Sequence, residues 1–153
     1  MCGIAGYFGS GDSQILKRMS DAISHRGPDD EGFYVEKNIG LAHRRLAIID
    51  VSPSGHQPMT GEDRDIQIVF NGEIYNFEEL KRELSQKHVF QGHSDTEVIV
   101  HLFEEIGAKV FSKLEGMFAI ALYDKKQGKL FLARDRMGKK PLYYGIFNNT
   151  LLF

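Results

Sequence analysis

Apolar and polar residues alternate over residues 2–8, with Ile4, Gly6 and Phe8 set against Ala5 and Tyr7, and this period of two predicts a strand. Gly9-Ser10-Gly11 breaks it. From Asp12 the period lengthens: Ile15, Leu16, Met19, Ala22 and Ile23 share one helical face, with Asp12 or Ser13 as the N-cap. His25-Arg26-Gly27-Pro28-Asp29-Asp30-Glu31-Gly32 is turn chemistry. Residues 32–36 and 39–50 then read as two strands across a Lys37-Asn38 turn. In the second, Leu41, His43, Arg45, Ala47 and Ile49 fall on one face and Ala42, Arg44, Leu46 and Ile48 on the other.

Residues 51–65 form a long polar loop, of a length usually found in functional lids or disorder. Residues 66–70 are a strand ending at Asn71-Gly72-Glu73. A helix follows with Asn76 as N-cap and Glu79 three residues on, and Ser94 with Glu97 marks a second such start. Val89-Phe90 reads as a short strand between them, and residues 109–114 as a helical turn. The rest is β: a hairpin of 117–124 with 129–135, and another of 141–147 with 151–153. The total is about eight or nine strands and two or three helices. Because the strands connect mostly through hairpins, the sheets are expected to be antiparallel. The fold class is α+β, with helices on the outer faces of the sheets.

The 153 residues suit one domain, and 42% apolar with 26% charged is ordinary for a globular protein. A net charge of -2 gives no reason to expect nucleic acid or an anionic membrane, and no apolar run is long enough to span a bilayer. The single cysteine, Cys2, excludes an internal disulfide and a cysteine zinc site, and fits a cytoplasmic setting. The six histidines, His25, His43, His56, His88, His93 and His101, show no metal-ligand spacing, so no metal is expected. Thr150-Leu151-Leu152-Phe153 has no polar tail after it, which suggests a domain excised from a longer chain.

Cys2 stands directly behind Met1. Removal of Met1 would leave a thiol and a free α-amine on one residue, with ordinary pKa values of about 8.5 and about 8. A thiol beside its own amine base is an activated nucleophile. A lone cysteine is equally a small buried hydrophobe. A thiolate attacking a carboxamide needs donors for the oxyanion, and Asn71-Gly72 offers a side-chain amide and a backbone N–H. The same dipeptide also reads as a hairpin turn. Arg45 could grip a carboxylate, or be an exposed edge-strand cation. Glu73 and Asp95 could receive an ammonium. Glu73 equally reads as a solvated turn residue, and Asp95 as an acid favoured in the first turn of a helix. Together these groups suit an α-amino acid with a side-chain amide, glutamine or asparagine.

Met1-Cys2-Gly3-Ile4, the 25–29 run His-Arg-Gly-Pro-Asp, Arg45-Leu46-Ala47-Ile48-Ile49-Asp50, Asn71-Gly72-Glu73-Ile74-Tyr75-Asn76, Ser94-Asp95-Thr96-Glu97-Val98 and residues 133–144 occur in order over the whole chain. In this the chain resembles the glutaminase domain of glutamine-dependent asparagine synthetases, a class II glutamine amidotransferase of the N-terminal nucleophile (Ntn) hydrolases. The resemblance implies a four-layer αββα sandwich of two antiparallel sheets. It implies Cys2 as nucleophile with its own α-amine as base, and Asn71 with the Gly72 N–H as oxyanion hole. Arg45 would hold the glutamine carboxylate, and Glu73 and Asp95 its amine. The backbone of Leu46, Ala47, Ile48 and Ile49 would line the pocket, under a lid around residues 54–59. Arg44 and His93 receive no role.

The resemblance further implies L-glutamine as substrate and no cofactor or metal for this domain. A C-terminal synthetase domain in cis, beyond residue 153, would use ATP and magnesium to turn aspartate and ammonia into asparagine. It leaves room for a homodimer. A retained Met1 would displace the amine base and leave the domain inactive. Two other readings stand beside this one: the same chemistry feeding another acceptor, such as a polysaccharide-pathway substrate, and a non-catalytic glutamine-binding or interaction module.

Overall fold

The computed structural model describes residues 2–47 and 53–153. Nine strands and four α-helices are found among these residues. β1 (Gly3–Phe8), β2 (Asp30–Glu36), β3 (Ile39–Arg45), β8 (Gly145–Phe147) and β9 (Thr150–Leu152) form one sheet in the order β2-β3-β1-β9-β8. β4 (Met59–Thr60), β5 (Ile66–Ile74), β6 (Gly116–Asp124) and β7 (Lys129–Arg134) form the other, in numerical order. Every pairing is antiparallel, as the hairpin connections predict.

The two sheets stack face to face, and the period of two decides what lies between them. Ile39 and Leu41 of β3, Val69 of β5, and Ala121 and Tyr123 of β6 make this inner layer, with Ile4, Phe8 and Tyr34 against them. Residues of the opposite parity face outward onto helices. On the five-stranded sheet, Tyr7 and Ala42 meet Leu16 of α1 (Ser13–Ala22). On the four-stranded sheet, Ile66, Ile68, Phe70 and Ile74 pack under α2 (Phe77–Leu84) and α3 (Asp95–Ile106), with Val110 of the short α4 (Val110–Lys113) and Leu114. Helix, sheet, sheet and helix make four layers.

Several expectations need correction. The second strand of the 39–50 run ends at Arg45; Leu46 and Ala47 are irregular, and residues 48–50 lie outside the described residues. Residues 89–90 are not a strand: Val89 N–H bonds Glu62 Oε1 at 3.4 Å rather than a sheet edge, and the Phe90 ring packs edge-on to His101. Residues 141–144 are likewise irregular, and their hairpin begins only at Gly145. Asn71-Gly72 is not a turn: β5 runs through it to Ile74, paired to Ala119 and Phe118. Asp12 caps α1, its carboxylate accepting from Ile15 N at 2.7 Å. Asn76 precedes α2 without capping it; its side chain instead bonds Lys113 O and Glu115 N, both at 3.0 Å. Ser94 caps α3 through Thr96 N, but Glu97 does not turn back to close a box. Its carboxylate accepts from Gln91 N and Gly92 N.

Arg44 and its neighbour Arg45 point to opposite faces. Arg44 reaches outward and donates to Ser20 Oγ at 2.8 Å, and pairs with Asp21 at 2.6 Å and Glu31 at 2.7 Å. It fastens α1 to the sheet. Met137, Tyr143, Tyr144, Ile146 and Phe147 are exposed together in the C-terminal part of the chain.

Candidate active site

Cys2 shares the parity of Ile4 and Phe8, and Arg45 that of Leu41 and His43, so both side chains point between the sheets. Asn71 and Glu73 share the parity of Val69 and point in from the other sheet. The ends of β1, β3 and β5 therefore deliver these four side chains to one end of the inter-sheet layer. There they line a cavity of about 250 Å³, joined by Leu46, Ala47, Gly72 and Asp95. That is near the lower end for small-molecule sites. Ile48 and Ile49 lie outside the described residues. Every other site residue read from the sequence is on this wall.

The Cys2 thiol is held by the backbone just past β3. Leu46 N–H approaches Sγ at 3.4 Å, and Sγ lies 3.6 Å from Leu46 O. Arg26 Nε donates to Cys2 O at 3.4 Å and so steadies the start of β1 from the 25–32 turn. Arg26 was not among the expected site residues, although it lies in one of the motifs.

Alternation along β5 also fixes its amide directions. Phe70, Gly72 and Ile74 have the same parity, so their N–H groups point away from β6 towards the open edge. Gln57 Oε1 accepts Phe70 N–H at 2.7 Å, and Asp95 Oδ2 accepts Ile74 N–H at 3.0 Å. The Gly72 N–H between them faces the cavity. Glycine is required at this position, since a Cβ would sit 2.3 Å from Met117 O and 2.8 Å from Phe118 Cα. The Asn71 amide and the Gly72 N–H thus come from adjacent residues of one rigid strand.

Asp95 is buried at the N-terminus of α3. Burial pushes its carboxyl up to about 6 against the pull of the Ile74 and Thr96 N–H groups, and the charge of Glu73 pushes the same way. The wall carries two acids, Glu73 and Asp95, and two cations, Arg45 and Lys140. Arg45 is buried on an interior strand, not exposed on an edge.

Among the lining residues that escaped the sequence reading, His43, Gln57 and Lys140 matter most to the site. His43 shares the inward face with Arg45, and its Nε2 lies 3.2 Å from Phe70 O. Burial lowers its pKa to about 4, with the Phe70 carbonyl opposing, so it is neutral at pH 7 and donates that bond. Its parity with Arg45 was the available signal. Gln57 is buried and bridges Phe70 N to Thr96 Oγ1, 3.1 Å from its Nε2. The loop around residues 54–59 does cover the cavity, through Gly55 and Gln57, but at Gln57 it is anchored as a wall. Nothing in the loop sequence singled out Gln57. Lys140 follows a turn organised by buried Asp135, which accepts N–H bonds from Phe118, Lys139 and Lys140. His93 is exposed and off the wall.

The sequence profile of the glutamine amidotransferase domain matches residues 1–153, and the chain belongs to that family. It is 47% identical over 160 residues to glutamine-hydrolysing asparagine synthetase 2 of Bacillus subtilis, covering 100% of this chain and 21% of that protein. Its identity to glutamine-hydrolysing asparagine synthetase 2 of Oryza sativa is 45% over 150 residues, covering 95% of this chain and 25% of the relative. The chain therefore spans about a quarter or less of the length of these relatives. The solved structure of glutamine phosphoribosylpyrophosphate amidotransferase from B. subtilis superposes with a TM-score of 0.83 at 20% identity, over 99% of this chain and 41% of that one. This likeness shows a shared fold, the four-layer αββα sandwich of two antiparallel sheets. No helix among the described residues is long and apolar enough to cross a membrane.

Proposed function

We propose that this domain hydrolyses L-glutamine to glutamate and ammonia through a thioester on Cys2, after removal of Met1. The observation that carries the reading is the convergence of Cys2, Arg45, Asn71, Gly72, Glu73 and Asp95 on one cavity, with a backbone N–H already at the thiol. Family membership supports the same substrate.

In this mechanism Arg45 takes the α-carboxylate of glutamine, and Glu73 and Asp95 take its ammonium. The Cys2 α-amine accepts the thiol proton, and the thiolate attacks the side-chain amide carbon. The oxyanion is received by the Asn71 side-chain amide and the Gly72 N–H, each such donor typically worth about 10²–10³ in rate. The α-ammonium returns the proton to the leaving nitrogen and ammonia departs. Water, activated by the same amine, attacks the thioester. Glutamate leaves and the thiol is restored. These steps call on no cofactor or metal.

For the rest of the protein the reading is a synthetase domain in cis, in keeping with the names of the matched relatives, which would use ATP and magnesium to make asparagine, with the exposed Met137, Tyr143, Tyr144, Ile146 and Phe147 as a surface for it. The test of the glutaminase reading is direct. Chain freed of Met1 should release glutamate and ammonia in equal amounts from glutamine, and Cys2→Ala should abolish both. Glutamine binding without turnover by the processed chain would favour a binding module.

A further inference from the structure

Away from the Cys2 cavity, Glu62, His88, His101 and Glu104 meet. Glu62 lies in the turn between β4 and β5, His88 follows α2, and the other two are one turn apart on α3. One ligand-capable atom from each lies within 4.8 Å of the others. His88 Nδ1 is 3.5 Å from Glu62 Oε1 and 3.8 Å from Glu104 Oε2. His101 Nδ1 is 2.9 Å from Glu104 Oε2 and 4.0 Å from Glu62 Oε1. A tetrahedral ion with nitrogen and oxygen ligands at about 2.0–2.1 Å has edges of about 3.4 Å, so the four atoms bracket that figure.

A second observation points to a ligand. Both ring nitrogens of His88 and Nε2 of His101 are buried without a hydrogen bond. Their side chains are only 9% and 4% exposed, so the missing bonds are costly. The rings stack at 4.5 Å with 28° between planes, which holds the two imidazoles side by side. Their outer nitrogens face carboxylates: His88 Nε2 lies 3.3 Å from Glu105 Oε1, and His101 Nε2 lies 3.8 Å from Glu97 Oε1. Metal-bound histidines typically hand their outer N–H to such an acceptor. Glu104 Oε1 is fixed by Glu62 N–H at 2.9 Å. Two carboxylates and two neutral imidazoles balance one divalent charge.

The geometry points to a divalent transition-metal site, formed by Glu62, His88, His101 and Glu104. Its donor set of two imidazoles and two carboxylates suits zinc, cobalt or nickel better than magnesium or calcium. A second cavity, lined by Glu62 and His101, gives the ion a way in. Bound metal would clamp the turn after β4 and the segment after α2 onto α3. Spacing along the chain does not reveal this site, since its histidines are separated by most of an irregular segment and half a helix.

The test uses metal-free protein carrying Cys2→Ser, so that the thiol cannot contribute. Cobalt(II) is titrated and the visible ligand-field absorption followed, with zinc then added in competition. One saturable equivalent, displaced by zinc and accompanied by a rise in Tm, is expected. Glu62→Gln changes a half-exposed side chain and should keep the fold by circular dichroism while weakening binding at least tenfold. His88→Asn should do the same. Absence of a saturable equivalent, or equal binding by the Glu62→Gln variant, would overturn the assignment.

Discussion

Asp95 Oδ2 accepts the Ile74 N–H at 3.0 Å, joining the first residue of α3 to the last residue of β5. That bond closes one side of the cavity and leaves the Gly72 N–H as the amide that faces it. It also keeps a carboxyl in a buried place where ionisation is costly. The bond therefore ties site geometry to pH.

Asp95 titrates at about 6, above the ordinary 3.8. Its ionised form is the one that receives an ammonium, so affinity for glutamine should be full above pH 6 and weaken as pH falls through it, read as a rising KM. For folding the sign is opposite. The raised pKa means the native state holds the proton more tightly, so this contribution to stability is present below about 4 and lost as pH rises through 6. Asp95→Asn should stabilise the fold at pH 8 by on the order of 2 kcal/mol, have little effect at pH 4, and raise KM sharply. Tm at the two pH values, together with glutamine kinetics, checks all three outcomes. His43 acts the other way: its lowered pKa gives stability above 6.5 that is lost as pH falls towards 4. Asp95→Asn should therefore unmask a steeper acid destabilisation.

Gly72→Ala should be severe. Its Cβ would lie 2.3 Å from Met117 O, backbone that can move only by separating β5 from β6. We expect a loss above about 2 kcal/mol and a fall in kcat of at least tenfold. Gly107→Ala is the contrast. Gly107 has φ +59 and ψ −144, a conformation essentially reserved for glycine, with nothing near its Cβ, so only that conformation is penalised, by about 1–3 kcal/mol, with kcat unchanged. Urea unfolding and steady-state kinetics on the pair separate contact from conformation.

Adjacent arginines should fail differently. Arg44→Met removes the partner of the buried Ser20 hydroxyl and should cost about 1–3 kcal/mol in stability while KM stays near the parent value. Arg45→Lys keeps a cation but loses the planar fork on the cavity wall, and should raise KM roughly 10- to 100-fold with a smaller change in Tm. Equal KM effects from the two would contradict the opposite facing of their side chains.

Much of this was legible in the chain because the fold is built on a period of two. The chain itself put Ile4 with Phe8, and Leu41 with Arg45, on common faces; that these faces meet in one layer, carrying Cys2 and Arg45 together, comes from the stacking of the sheets. The Asn71-Gly72 pair was ambiguous locally, because the dipeptide that makes a turn also serves a strand that needs a bare backbone. Only the approach of Met117 O decides it. Gln57 and His43 were not assigned, since their roles arise from contacts with Phe70 and Thr96 across sheets and loops. Glu62 with His88 and His101 was hidden for the same reason.

The central claim is that Cys2, once N-terminal, is the nucleophile of a glutamine pocket. Intact mass before and after treatment with a glutamine-mimicking electrophile tests it most directly, on chain whose starting mass shows that Met1 is gone. The account predicts a single adduct, mapped to Cys2 and suppressed by excess glutamine. A Met1-free chain that forms no adduct, or forms one that glutamine does not suppress, would contradict it.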